Sequence, residues 1–249
     1  MSNAFPWILT LAVVAGLAWL LLPAPAQPRA LPSRSTGGPP GAAFEAGLAA
    51  LAGGLLGARL GFVLTHSAYF NQDVWEVVRL WRGGLSGPGA VLGAVCGLGL
   101  FAIASRQPVW PLADALAAPA LLVAAAAWVG CLFDACAFGL PAAGPFRLPV
   151  LPGPMQVRLP RWPTQAAGAL ACLAPFLFLL SRRATALPTG GPSLVALLSI
   201  SLSGLALSFV RGDPAAALVG MRLEALGWTA VALLSMLAFA LHRKALQRA

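Results

Sequence analysis

Charge is what this sequence has least of. Asp, Glu, Lys and Arg make up 9% of its 249 residues, against about a quarter in a soluble domain, so the chain cannot clothe a water-facing surface of that size. Lysine and tyrosine each occur once and histidine twice. With so few histidines, the four cysteines (Cys96, Cys131, Cys136 and Cys172), all in apolar segments, show neither metal-ligand spacing nor a disulfide framework. They read as small buried apolar side chains. No metal and no cofactor is expected. What is abundant is apolar: 59% hydrophobic residues and a mean hydropathy of +0.83. Lipid is therefore the solvent for most of the exterior. The net charge of +9 does not point to nucleic acid, because the fifteen arginines are scattered between apolar runs instead of gathering on one face. Anionic lipid headgroups suit that distribution better.

A helix needs about 20 apolar residues to cross a bilayer. Seven segments qualify: 5–23, 43–65, 86–104, 112–134, 163–181, 193–210 and 223–241. They predict an all-α polytopic transmembrane helical bundle of about seven spans, one domain over residues 1–249. The first run, Phe5 to Leu22, lacks a basic leader and reads as an uncleaved first helix. Residues 24–42, rich in Pro, Gly and Ser, read as a loop. Residues 140–162 hold Pro141, Pro145, Pro149, Pro152, Pro154 and Pro160, which excludes a helix interior and predicts a short ordered loop or hairpin on the outer face. An odd span count puts the termini on opposite sides. The basic tail His242-Arg243-Lys244 with Arg248 places the C-terminus in the cytoplasm and the N-terminus outside. Arg29, Arg34, Arg106, Arg182 and Arg183 then fall inside, and Arg79, Arg82, Arg147, Arg158, Arg161, Arg211 and Arg222 outside.

Local patterns refine this outline. Segment 74–82 is too short to span; its apolar positions recur at helical spacing beside Glu76, Arg79 and Arg82, predicting an interfacial helix with Trp75 and Trp81 as anchors. Gly53, Gly57 and Gly61 recur every fourth residue on the second span, and Gly89, Gly93 and Gly97 on the third. Such small-residue faces let helix backbones approach closely in lipid. Ser86 is placed to cap the third span, with Pro88 tolerated in its first turn.

Several stretches in order carry a family resemblance. They are Gly57-Ala58-Arg59-Leu60-Gly61-Phe62-Val63-Leu64, Tyr69-Phe70, Trp81-Arg82-Gly83-Gly84-Leu85-Ser86, Gly130-Cys131-Leu132-Phe133-Asp134-Ala135-Cys136-Ala137-Phe138-Gly139, Arg161-Trp162-Pro163-Thr164-Gln165 and Ser208-Phe209-Val210-Arg211-Gly212-Asp213-Pro214. Over roughly residues 43–240 the chain resembles the prolipoprotein diacylglyceryl transferases. The resemblance implies seven spans in a bacterial plasma (inner) membrane with the N-terminus outside. It also implies an activity: moving a diacylglyceryl group from phosphatidylglycerol to the thiol of a lipoprotein precursor's cysteine. The partners it implies are therefore a phosphatidylglycerol-like membrane phospholipid and a lipoprotein precursor. Such an enzyme must hold an anionic phosphate, which suits the guanidinium fork, and help deprotonate a thiol, which suits a His or carboxylate.

The sequence departs from the family where that chemistry lives. The family's histidine after the Gly-Gly-x-Ser stretch falls on Pro88, and its arginine two residues before Gly130 falls on Trp128. A polar and an acidic position fall on Cys131 and Cys136, and a second arginine, seven residues before Arg211, falls on Gly204. What remains is Arg59, Arg161, Gln165 and Arg211 as candidates for holding a lipid phosphate, and Asp134 and His66 as candidate acid/base groups. Arg59 inside a span is functional, snorkels to the interface or satisfies helix-end carbonyls; Asp134 either pairs with Arg59, acts as a base or faces water. Two readings result: a divergent diacylglyceryl transferase, or a non-catalytic lipid-binding or scaffold protein that kept the fold. They differ in whether label passes from phosphatidylglycerol to a lipobox peptide; the site proposal itself requires Arg59, Asp134, Arg161, Gln165 and Arg211 to converge on one outward-opening cavity.

Overall fold

The computed structural model describes residues 4–22, 41–70, 73–79, 83–142, 148–149, 160–218 and 220–248. Seven long helices alternate in direction: α1 (Ala4–Leu21), α2 (Ala42–Thr65), α4 (Gly87–Ser105), α5 (Val109–Asp134), α6 (Thr164–Leu180), α7 (Gly191–Ser208) and α8 (Leu223–Arg248). A single turn, α3 (Ser67–Phe70), and a 3-10 turn, Val74–Val78, lie between α2 and α4. Trp81, Arg82, Arg29, Arg34, Arg147 and Arg158 lie outside the described residues, as do most of loops 24–42 and 140–162.

Six of the helices are long and apolar enough to cross a membrane. The seventh, α6, has 17 residues, the lower limit for a span, yet it runs the length of the bundle. At its start, Thr164 Oγ1 donates to the carbonyl of Ala137, just past the end of α5 (2.7 Å). Beyond its other end, the Gly190 N–H reaches the Asp114 carboxylate near the start of α5 (2.7 Å). The protein is thus a multi-pass membrane protein, and its outward faces show it: Leu100 and Ile103 on α4 are 69% and 77% exposed, a surface that water would not tolerate in a row but hydrocarbon does.

Without a hydrophobic force between helices in lipid, close packing holds the bundle. The two glycine ladders face each other across α2 and α4. A Cβ added at Gly93 would lie 2.2 Å from the carbonyl oxygen of Gly53, and one at Gly57 would lie 2.3 Å from that of Gly89. The backbones touch, as the four-residue spacing predicts. A second core, built from Leu121, Cys172, Leu179 and Ala196, joins α5, α6 and α7. Ser86 caps α4 through the Gly89 N–H, with proline in the first turn.

The described residues of loops 66–86, 135–163 and 209–222 lie at one end of the bundle, with the start of α1. Two antiparallel ribbons lie there: β1 (Leu148–Pro149) with β2 (Pro160–Arg161), and β3 (Ala217–Leu218) with β4 (Met221–Arg222). Of the helix expected over 74–82, residues 74–78 form a five-residue 3-10 turn with Arg79 at its C-cap, and residues 80–82 lie outside the described residues. The carbonyls of Glu76, Val77 and Arg79, which would continue a helix, are turned toward Arg59.

Candidate functional site at the loop-bearing end

Arg59 sits one turn and a half from the end of α2, between Gly57 and Gly61 of the glycine ladder that faces α4. It is 6% exposed. Its five N–H groups all go to backbone carbonyls: Nε to Val77 (2.8 Å), Nη1 to Gly83 (2.7 Å) and Gly84 (3.0 Å), and Nη2 to Glu76 and Arg79. Gly83 and Gly84 both take left-handed backbone angles (φ 82° and 78°), open to glycine without steric cost, and so aim two successive carbonyls at one guanidinium. The cation also lies over the Phe70 ring, 5.1 Å from its centroid. Neutral carbonyls satisfy the donors without cancelling the charge, so a positive charge stays in the wall.

That wall bounds a cavity of about 270 Å³ lined by Arg59, Phe62, His66, Tyr69, Phe70, Glu76, Gly83 and Gly84. His66 stacks on Phe62 at 4.1 Å, and its Nδ1 lies 3.1 Å from the Phe62 carbonyl oxygen. The same Nδ1 lies 3.0 Å from the Thr65 hydroxyl. Glu76, buried, is engaged by Arg79, which also pairs with Asp73.

The other candidates gather elsewhere at the same end. Arg161 donates to the Gly139 carbonyl (3.1 Å) and lies over the Phe138 ring at 4.7 Å. Gln165 donates to the Cys136 carbonyl (3.0 Å). Together with Thr164 they pin segment 136–142, which is also bridged to Arg211 through Gly139 and to Arg161 through Pro141. Arg211 pairs with Asp213 and Glu224, and Arg222 with Asp213. The candidates do not all converge on one cavity: Arg59 and His66 line it, while Arg161, Gln165 and Arg211 build a platform at the same end.

In the platform, burial alone would raise the Asp213 carboxyl, but the hydrogen bonds and charge of Arg211, then the charge of Arg222, hold it below the usual carboxylate range. A depressed folded-state value contributes stability that is present above the unfolded value, about pH 4, and is lost as pH falls through the lower folded value. Thermal midpoints in detergent are expected to stay level from pH 7 to about 4.5 and to fall below about pH 4, with Asp213→Asn flattening part of that fall.

Two sequence expectations are corrected here. Asp134 does not pair with Arg59, whose donors are all taken; its carboxylate accepts the Phe5 N–H at the start of α1 (3.1 Å), where a helix N-terminus favours negative charge. Nor are all four cysteines buried thiols. Cys131 and Cys136 form a disulfide, Cys96 is exposed on the bundle's exterior and Cys172 is buried. On a continuing helix, residues five apart lie about 8 Å or more between Cα atoms, too far for the bond. Here α5 stops at Asp134 and Ala135 turns left-handed (φ 55°), bringing the two Cα atoms to 4.6 Å.

The sequence profile of the prolipoprotein diacylglyceryl transferases matches residues 9–242. The chain belongs to this family. Relatives named phosphatidylglycerol–prolipoprotein diacylglyceryl transferase include that of Thermus thermophilus, 40% identical over 101 residues, which are 40% of this chain and 33% of the relative. That of Leifsonia xyli is 33% identical over 126 residues, 47% of this chain and 38% of the relative. That of Thermosynechococcus vestitus is 32% identical over 91 residues, 36% and 34% respectively. The aligned stretches thus span little more than a third of these relatives' length.

Against the family pattern, the positions that lack its charged groups are filled, not left open. Trp128 packs on Gly168, where a Cβ would lie 2.3 Å from the ring. Gly204 faces Trp228 at a Cβ distance of 2.4 Å, and Gly87 faces the same indole at 2.7 Å. Pro88 lies against Gly227, a neighbour of Trp228 in sequence, at 2.7 Å. The remaining two positions are the disulfide. Trp228 drew no attention in the sequence, where it is one apolar residue in an apolar span; only the glycines opposite it, on α4 and α7, reveal its place.

Proposed function

We propose that this protein is a divergent diacylglyceryl transferase-type membrane protein. In this reading it takes up a phosphatidylglycerol-like lipid at the loop-bearing end and passes the diacylglyceryl group to a cysteine thiol of a lipoprotein precursor. The observation that carries it is the cavity at that end, with the retained charge of Arg59 in its wall and an aromatic lining for the glyceryl carbons. In the reaction a C–S bond forms at the glyceryl carbon and the C–O bond to phosphate breaks. Glycerol phosphate leaves, and the thiol proton goes to a base. The His66 imidazole in the cavity wall is the group assigned to take it. Arg59 holds the loop 76–84 in place and supplies the field that favours the phosphate. Arg161, Gln165 and Arg211 act one step away, by fixing the platform at the same end.

The filled positions set the rate. Losing one charge-stabilising donor commonly costs about two to three orders of magnitude, so transfer is expected at least that far below a relative with the full charged set. The test is label transfer from phosphatidylglycerol to a lipobox peptide by the purified protein in detergent. Slow transfer above the protein-free background is expected, abolished by His66→Gln with phosphatidylglycerol still bound. The same assay separates a second reading, lipid binding without transfer. Phosphatidylglycerol that co-purifies with no transferred label selects that reading.

In this proposal the loop-bearing end faces outside and the C-terminus lies in the cytoplasm. The basic C-terminal tail supports this, as does the disulfide, a bond that persists in oxidising compartments.

A further inference from the structure

We infer that Cys131–Cys136 is a redox modification site whose state locks or releases the platform at the mouth of the bundle. The inference stands on the geometry of the turn and does not depend on the transferase reading. Both cysteines are partly exposed, so an exchanging thiol can reach them. The bond closes a turn in which Ala135 and Ala137, on either side of Cys136, hold left-handed angles (φ 55° and 50°). L side chains adopt that conformation only at a cost, so the turn keeps its shape because something holds it.

Immediately after the turn, the chain enters the platform. Phe138 accepts the Gly212 N–H (2.8 Å), the Leu140 N–H goes to the Val210 carbonyl (2.8 Å), and the Trp162 N–H goes to the Leu140 carbonyl (3.1 Å). Gln165 and Thr164 hold the carbonyls of Cys136 and Ala137 inside the turn. A relaxation at 135–137 therefore has to move strands from α5, α6 and α7 together. In oxidation, the two thiols lose two electrons and two protons to the disulfide of an exchange partner, which leaves as a dithiol. Reduction by a dithiol runs the same exchange backwards.

The experiment compares the full chain in detergent before and after reduction by a phosphine, reading amide exchange peptide by peptide. Peptide-level alkylation keeps Cys131 and Cys136 apart from Cys96 and Cys172. On reduction, exchange over 136–142 and 209–213 is expected to rise on the order of tenfold, with 73–79, 83–86 and the α2–α4 interface unchanged, and reoxidation restores it. The double variant Cys131→Ser/Cys136→Ser is expected to match the reduced protein; if it fails to fold, reduction of the folded wild type still gives the result. Two outcomes overturn the inference. One is alkylation of Cys131 and Cys136 in native membranes without prior reduction, which means that the bond does not form. The other is exchange over 138–142 and 209–213 that stays within about twofold on reduction, which makes the bond a local staple.

Discussion

Arg59→Ala is expected to cost about 3–5 kcal/mol. The reason is arithmetic over one side chain. Five backbone carbonyls, those of Glu76, Val77, Arg79, Gly83 and Gly84, point at the guanidinium, and each acceptor stranded in a buried place forfeits about 1–3 kcal/mol unless water reaches it. Partial hydration of the loop keeps the sum below that ceiling. Arg59→Lys restores the charge but offers three donors in place of five, without the planar fork, so it is expected to recover less than half of the loss. Thermal unfolding in detergent gives the stability, and limited proteolysis between residues 73 and 86 gives the place. A variant that loses stability with no new cleavage there would contradict this account, as would lysine rescuing fully.

The second large effect belongs to the glycine seam. Gly93→Ala places a methyl group 2.2 Å from the Gly53 carbonyl oxygen and 2.8 Å from the Gly57 Cα. Both obstacles are backbone, so no side chain can swing aside, and α2 and α4 must separate along their length. Overpacking commonly costs about 1–3 kcal/mol and sometimes more; with two helix backbones to displace, the upper end is expected, and little monodisperse protein should survive extraction. Gly99→Ala is the control. It lies on the same helix with nothing within 4 Å of the added carbon, and it gains helix propensity, so its unfolding midpoint should match or exceed that of the parent. Equal behaviour of the two variants would mean that the helices are not in contact as described.

Much of the bundle was legible because its signals are local and repetitive. Apolar runs of span length give helices at nearly the expected places, and a four-residue glycine period gives a face. Ser86 followed by Pro88 gives a helix start. The partners of the candidate residues were less legible. Arg59, His66, Arg161, Gln165 and Arg211 stand at one end, yet sequence could not say which carbonyls Arg59 and Gln165 would meet, because those partners lie 17 to 29 residues away. The Arg59–Asp134 pairing failed for that reason: opposite charges suggested a partner, while the nearer loop carbonyls took every donor. The cysteines misled differently. A five-residue spacing excludes a bond on a helix, and the turn that permits it rests on an alanine in a conformation that alanine rarely takes. The role of Trp228 was hidden because an indole plug and an ordinary apolar residue read alike until the glycines opposite are seen.

The carboxylate of Asp114, 1% exposed, carries a consequence for how the chain is made. It receives the N–H groups of Gly190 and Ser193, 76 and 79 residues further on, and so caps the start of α7 from within α5. A ribosome adding about 5–20 residues per second delivers those amides roughly 4 to 16 seconds after the acid has left the tunnel. For that interval α5 is in or at the bilayer with an unsatisfied acid near its first turns, and α7 has no cap to dock on. Assembly of the second half of the bundle is thereby timed by translation: the helix that holds the acid waits for the one that quenches it.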